Sequence, residues 1–121
     1  MKYSIIILML LAASFAGGQV SGCPTGTHGN CVTWTLSPTS GVTGQIISRS
    51  IVPGGEMIGT PLCTVSPTVT QCLDTSGVPG VLYYYVGWAG INGLESPVSN
   101  EKSGTFPTVP APLSLVSVVP Q

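Results

Sequence analysis

Few side chains in this 121-residue sequence could exchange protons, attack a substrate or hold a metal, and they are scattered. The one histidine, His28, stands in a Gly-Thr-His-Gly-Asn stretch, and the carboxylates are Glu56, Asp74, Glu95 and Glu101. General acid–base chemistry needs groups poised against each other, and a lone histidine in a glycine-rich loop is ordinarily just solvated. Glu56 and Glu95 would make the carboxylate pair of a glycosidase only if the fold happened to bring them together. No nucleophile-elbow, phosphate-cradling or calcium-loop pattern is present. The expectation is a non-catalytic chain with no cofactor and no metal site.

Cys23, Cys31, Cys63 and Cys72 are the remaining reactive groups. Their spacings are not those of a zinc site. An even number behind a secretion signal reads as disulfides formed in an oxidising compartment. Three pairings are open; the local ones, Cys23–Cys31 and Cys63–Cys72, are favoured because each closes a short loop. Ser66-Pro67-Thr68, inside the second loop, has the chemistry of a turn. Each bridge would contribute about 2–3 kcal/mol. A competing use of Cys23 is lipidation, since Val20-Ser21-Gly22-Cys23 resembles a bacterial lipobox. That alternative would tie the chain to a membrane and leave one thiol over.

The compartment follows from the first residues. Lys2, the apolar run Ile5–Leu11 and the small residues Ala12, Ala13 and Ser14 have the form of a secretory signal peptide. Ser14-Phe15-Ala16 supplies the cleavage site, so residues 1–16 are expected to be removed, or 1–22 if Cys23 is lipidated. The apolar segment Ile5–Ala16 is 12 residues long, short of the roughly 20 that a spanning helix needs. The remainder suffices for one sandwich-sized core. Without the leader, Arg49 and Lys102 are the only cations, too few to neutralise a phosphate backbone, so nucleic acid is not expected as a partner.

The elements that must position these groups read as strands and turns. Glycine (16) and proline (11) fall between short apolar runs, and no segment beyond the leader keeps a helical period. Cys31–Leu36 alternates, with Val32, Trp34 and Leu36 on one face. Val42–Ile51 is a second strand with Ile47 as inward anchor, and Met57-Ile58 a short edge strand. Leu62–Leu73 reads as a hairpin carrying Cys63 and Cys72. In Val81–Asn100, Tyr83, Tyr85, Gly87 and Ala89 share one face and Tyr84, Val86 and Trp88 the other. A turn at Gly90–Gly93 then leads into a returning strand from Leu94, and Ser99–Phe106 is the last. Before Asn30 no first strand is evident.

Taken in order, these segments resemble a fibronectin type III domain of the kind found in secreted bacterial proteins. Val32-Thr33-Trp34 is similar to the family's second strand, Gly41–Gly44 with Arg49-Ser50 to the third, and Pro53-Gly54-Gly55 to the turn after it. Asp74 stands where the family often has an aspartate, Tyr83–Val86 looks like the sixth strand, and Gly93–Ser96 with Ser99-Asn100 like the seventh. Gln45 and Cys72 replace a tyrosine and an aromatic residue that are usual in the family. The resemblance implies an all-β, immunoglobulin-like, seven-stranded antiparallel sandwich over residues 23–107. In it Trp34 packs across the two sheets with Ile47, Tyr83 and Tyr85 in the core, and the Tyr83 hydroxyl reaches back to backbone at the corner before its strand.

What the resemblance implies about function is a non-catalytic adhesion, spacer or binding module, secreted or held in the periplasm or cell envelope. Its partner would be a protein or a glycan, met through an outer stripe of Tyr84, Val86 and Trp88. The alternatives are a carbohydrate-binding or accessory module of an extracellular hydrolase, and a subunit of a surface assembly joined through residues 108–121. That tail is proline-rich and ends in the apolar run Leu113–Val119. It is either a flexible appendage or an edge strand for its own sandwich or a neighbour's.

Overall fold

The computed structural model describes residues 19–121. The expected signal peptide, residues 1–16, lies outside them. Eight strands follow one another with no helix among the described residues. They are β1 (Gln19–Ser21), β2 (Asn30–Thr33), β3 (Gly44–Ser50), β4 (Pro61–Val65), β5 (Gln71–Asp74), β6 (Leu82–Ile91), β7 (Leu94–Glu95) and β8 (Lys102–Thr105). One sheet has the order β1-β5-β2, and the other the order β4-β3-β6-β7 with β8 also on β6. All strand pairs are antiparallel.

β7 pairs with the end of β6 at Gly90 and Ile91, and β8 with its start at Leu82–Tyr85. Both lie on the edge away from β3, so they are two halves of one edge strand interrupted at residues 96–101. Counted that way the sandwich has seven strands. The alternation of β6 explains its place at the centre of the larger sheet: Tyr83 and Tyr85 point inward and are buried. Asn92 (φ 47°) and Gly93 (φ 88°) make the tight turn into β7. Two consecutive left-handed residues match the twist of a hairpin, which is why Asn-Gly stands there.

The core is formed by Ile47, Leu62, Cys63, Val65, Cys72, Tyr83, Tyr85 and Phe106, with Val32, Trp34, Val69 and Val81 packed against it. Phe106, just past β8, is 1% exposed, and its ring meets Tyr83 edge-on. Its burial alone stabilises the fold by about 1.5–3 kcal/mol.

Three sequence expectations are corrected here. Residues 62–73 are not a hairpin, because β4 pairs with β3 whereas β5 pairs with β1 and β2. The chain changes sheets between Val65 and Gln71, and the reason is Gln45. Its buried amide donates to the carbonyls of Ser66 (2.9 Å) and Val69 (2.8 Å) and holds the crossing turn against β3. The Cys63–Cys72 bridge therefore ties the two layers together, its sulfurs fully buried and its Cα atoms 6.6 Å apart. Met57-Ile58 is not an edge strand but part of a loop, 51–60, that folds over the outer face of the larger sheet. A first strand does exist: β1 comes from the stretch just before Cys23 and pairs with β5.

Candidate functional site

The most chemically loaded cluster is buried between the sheets. Period-two alternation along β3 turns Gln45, Ile47 and Arg49 inward, so the chain's one arginine crosses the sandwich to Asp74 at the end of β5. Arg49 Nη1 donates to both carboxylate oxygens at 2.9 Å, and its guanidinium lies 4.4 Å from the centre of the Tyr83 ring. The Ser76 backbone N–H and hydroxyl donate to Asp74 Oδ1 at 3.1 Å each, and the Tyr85 hydroxyl donates to Oδ2 at 2.7 Å. Asn30 of β2 donates to the Tyr85 hydroxyl and to the Gly104 carbonyl. Burial first, then the bond to Asp74, pushes the Tyr85 hydroxyl well above its ordinary range.

Every acceptor of Asp74 is occupied and its side chain is fully buried, which suits a clamp between sheets and leaves no lone pair for a substrate. The sequence signal for it was a single arginine on the inward face of a strand. Tyr83 completes the corner: its hydroxyl accepts the Val78 N–H at 2.8 Å.

The outer stripe on β6 is only partly open. Val86 is buried, and Tyr84 and Trp88 are half-buried. The cause is the 51–60 loop: the Ser48 hydroxyl, in register with Val86, donates to the Met57 carbonyl at 2.8 Å. The same loop reaches across to the β8 side, where the Gly54 N–H donates to Glu101 at 2.8 Å. That path seals the stripe at its middle residue. It also brings Glu56 to Glu101 rather than to Glu95. Burial and a hydrogen bond shared with Glu101 raise the Glu56 carboxyl from its usual value, while the Gly54 N–H lowers that of Glu101. His28 is exposed, its ring edge-on to Phe106 at 5.4 Å.

An open groove of about 590 Å³ runs between the edge of β2 and the interrupted edge strand at residues 96–102, and Val86 and Trp88 of the stripe are among its lining. Val32, Trp34, Ile47 and Tyr85 contribute its apolar lining, and Ser37, Ser99 and Asn100 its polar one. Trp34 corrects the expectation of a central core tryptophan. It stands one residue beyond β2, half-buried, packed on the core's rim with its indole N–H donating to Gln45 Oε1 at 2.9 Å. It stays partly open because β2 is the last strand of its sheet among the described residues.

In an immunoglobulin-type sheet the first strand flanks the second, but here β1 has gone to the far side of β5. The Trp34 N–H pairs with the Thr70 carbonyl at 2.9 Å. Ladder alternation then turns the N–H and C=O groups of Cys31 and Thr33 to the free edge.

Cys23 is bridged to Cys31, with Cα atoms 5.8 Å apart, so its sulfur is not available for a lipid. Among the described residues no group of three or more histidine, cysteine or acidic side chains is placed to hold a metal, and no helix is long and apolar enough to cross a membrane.

No family model matches the chain, and no curated protein does. Among solved structures the chain is similar to the sixth fibronectin type III domain of human fibronectin type III domain containing protein 3, with a TM-score of 0.54 at 20% identity. The match covers 79% of this chain and 87% of that domain. Together with the two-layer topology, this defines the fold as a fibronectin type III-like β-sandwich.

Proposed function

We propose that the chain is a non-catalytic binding and spacer module working outside the cytoplasm, secreted or in a cell envelope, and that its contact surface is the open side beside β2. The groove over Trp34 carries this reading. The clustered polar groups are saturated inside the fold, and a loop crosses the middle of the outer face. The groove remains, with an apolar floor, polar rim groups and a strand edge bearing unpaired amides. The two disulfides fit an oxidising compartment. The partner is a protein or a glycan.

A second reading, a carbohydrate-binding or accessory module of an extracellular hydrolase, is favoured by the half-exposed Trp34 indole among hydroxyl and amide groups, a surface on which a sugar ring stacks. The test is to immobilise the native chain and the double variant Thr35→Arg/Asn100→Arg, and to screen both against oligosaccharides and envelope protein fractions. Both positions are exposed and line the groove. Binding by the native chain that disappears in the variant supports the groove as the contact surface. Equal binding by the two refutes it.

A further inference from the structure

The C-terminal tail is the one apolar segment of the described chain that the sandwich does not use. Leu113 is 90% exposed, Leu115 86%, Val116 95% and Val118 88%. No strand forms after Thr105. Read with a period of two, Leu113, Leu115 and Val119 share one face with Ser117, and Val116 and Val118 the other with Ser114, a valine-rich run apolar on both faces that suits an added strand. Residues 107–121 carry no charged side chain, and Lys102 is the only charged residue of the groove.

We propose that the tail of one copy of this chain adds as a strand to the free edge of β2 in a second copy, its leucines lying over the groove beside Trp34. This rests on the open side of the sandwich being the contact surface and names what occupies it.

Two observations point to another copy rather than the chain's own tail. First, Pro107, Pro110 and Pro112 favour an extended linker that, at about 3.1 Å per residue, carries the strand roughly 19 Å from Phe106. Second, β8 runs antiparallel to β6, so Phe106 lies at the end of the sandwich where β6 begins. β2 starts at that same end, where Asn30 donates to the Gly104 carbonyl, and runs the other way, so pairing with its own β2 would require the six residues 107–112, three of them proline, to reverse the chain. Main-chain bonds to Cys31 and Thr33 would give the affinity and the apolar lining the register. Each copy then offers one donor and one acceptor that do not coincide, so the contact is head-to-tail and propagates.

The experiment uses the full mature chain and the variant Leu113→Asp/Leu115→Asp, whose replaced side chains are almost fully exposed in the folded domain. Sedimentation velocity over a concentration series is expected to show oligomers for the native chain and their loss in the variant. As a second readout, a Thr33→Cys chain is mixed with a Val116→Cys chain under mild oxidation. Both positions would be on the outer face when the leucines point in. A mixed dimer should form in preference to one between Val116→Cys and a control at Thr60→Cys, which lies before β4.

A native chain that stays monomeric throughout, oligomers that survive the charged tail, or an internal bridge in the Thr33→Cys/Val116→Cys double variant would each overturn the proposal. A monomer that nevertheless binds a groove-dependent ligand in the screen above sinks this inference while leaving the proposed function standing.

Discussion

Asp74→Ala tests whether the polar cluster between the sheets holds the fold together. The substitution removes one carboxylate and strands four donor groups: the Arg49 guanidinium, the Ser76 N–H and hydroxyl, and the Tyr85 hydroxyl. Breaking a buried ion pair by deleting one partner costs about 3–5 kcal/mol. For a domain near 100 residues that lowers Tm by roughly 15–30 °C. Arg49→Met should cost less, because Asp74 keeps three donors and Arg49 is 24% exposed. The double variant Asp74→Ala/Arg49→Met should fall well short of the sum of the singles, by about 1–3 kcal/mol. The assay is urea unfolding followed by tryptophan fluorescence with both disulfides intact, compared at equal m-values. A loss below about 1 kcal/mol for Asp74→Ala, or simple additivity, would show that the cluster is ornamental to stability.

Three other perturbations follow from the same geometry. Because the folded-state pKa of Tyr85 is raised, its share of stability is full below its unfolded value of about 10 and is lost as pH climbs toward the folded one. Tyr85→Phe should cost about 1.5–3 kcal/mol at neutral pH and flatten the alkaline limb of a Tm-versus-pH curve; an unchanged limb would contradict the assignment. Cys63→Ala/Cys72→Ala should lose about 2–3 kcal/mol of loop-closure stabilisation, and more if the layers separate, read by guanidinium melts. The raised Glu56 carboxyl contributes stability that is present at acid pH and lost as pH rises through its folded value, while the lowered Glu101 works in the opposite sense. Glu56→Gln is therefore expected to raise Tm at pH 7, and a lower Tm there would count against the carboxyl contact.

Local chemistry made much of the architecture readable. The tyrosine run alternates as a strand must, Asn92-Gly93 is the turn that a twisted hairpin demands, and the short cysteine spacings left local bridges as the simplest pairing. Sheet membership was not readable, because a strand–turn–strand pattern looks the same whether the second strand pairs with the first or crosses to the facing layer. Only the tertiary bonds of Gln45 decide that.

The cover over the middle of the outer stripe was unreadable for a related reason. Periodicity shows that Tyr84, Val86 and Trp88 share a face but not that a glycine-rich loop will lie across it. The role of Asp74 could not be read locally, because only its Asx bond to the Ser76 N–H is local, while its partners Arg49 and Tyr85 are distant in sequence. The free edge of β2 was hidden for the same reason: which neighbour β1 takes depends on contacts far along the chain.

The placement of the two bridges also limits how far the molecule can lengthen under load. One closes a span of 8 residues near the start of the domain and the other a span of 9 at its middle. With both intact, a fully stretched chain is shorter by roughly 45 Å than its residue number allows, at about 3.5 Å per residue. The fully stretched length of the chain is therefore set by the redox state of its surroundings, shorter in an oxidising medium and longer in a reducing one.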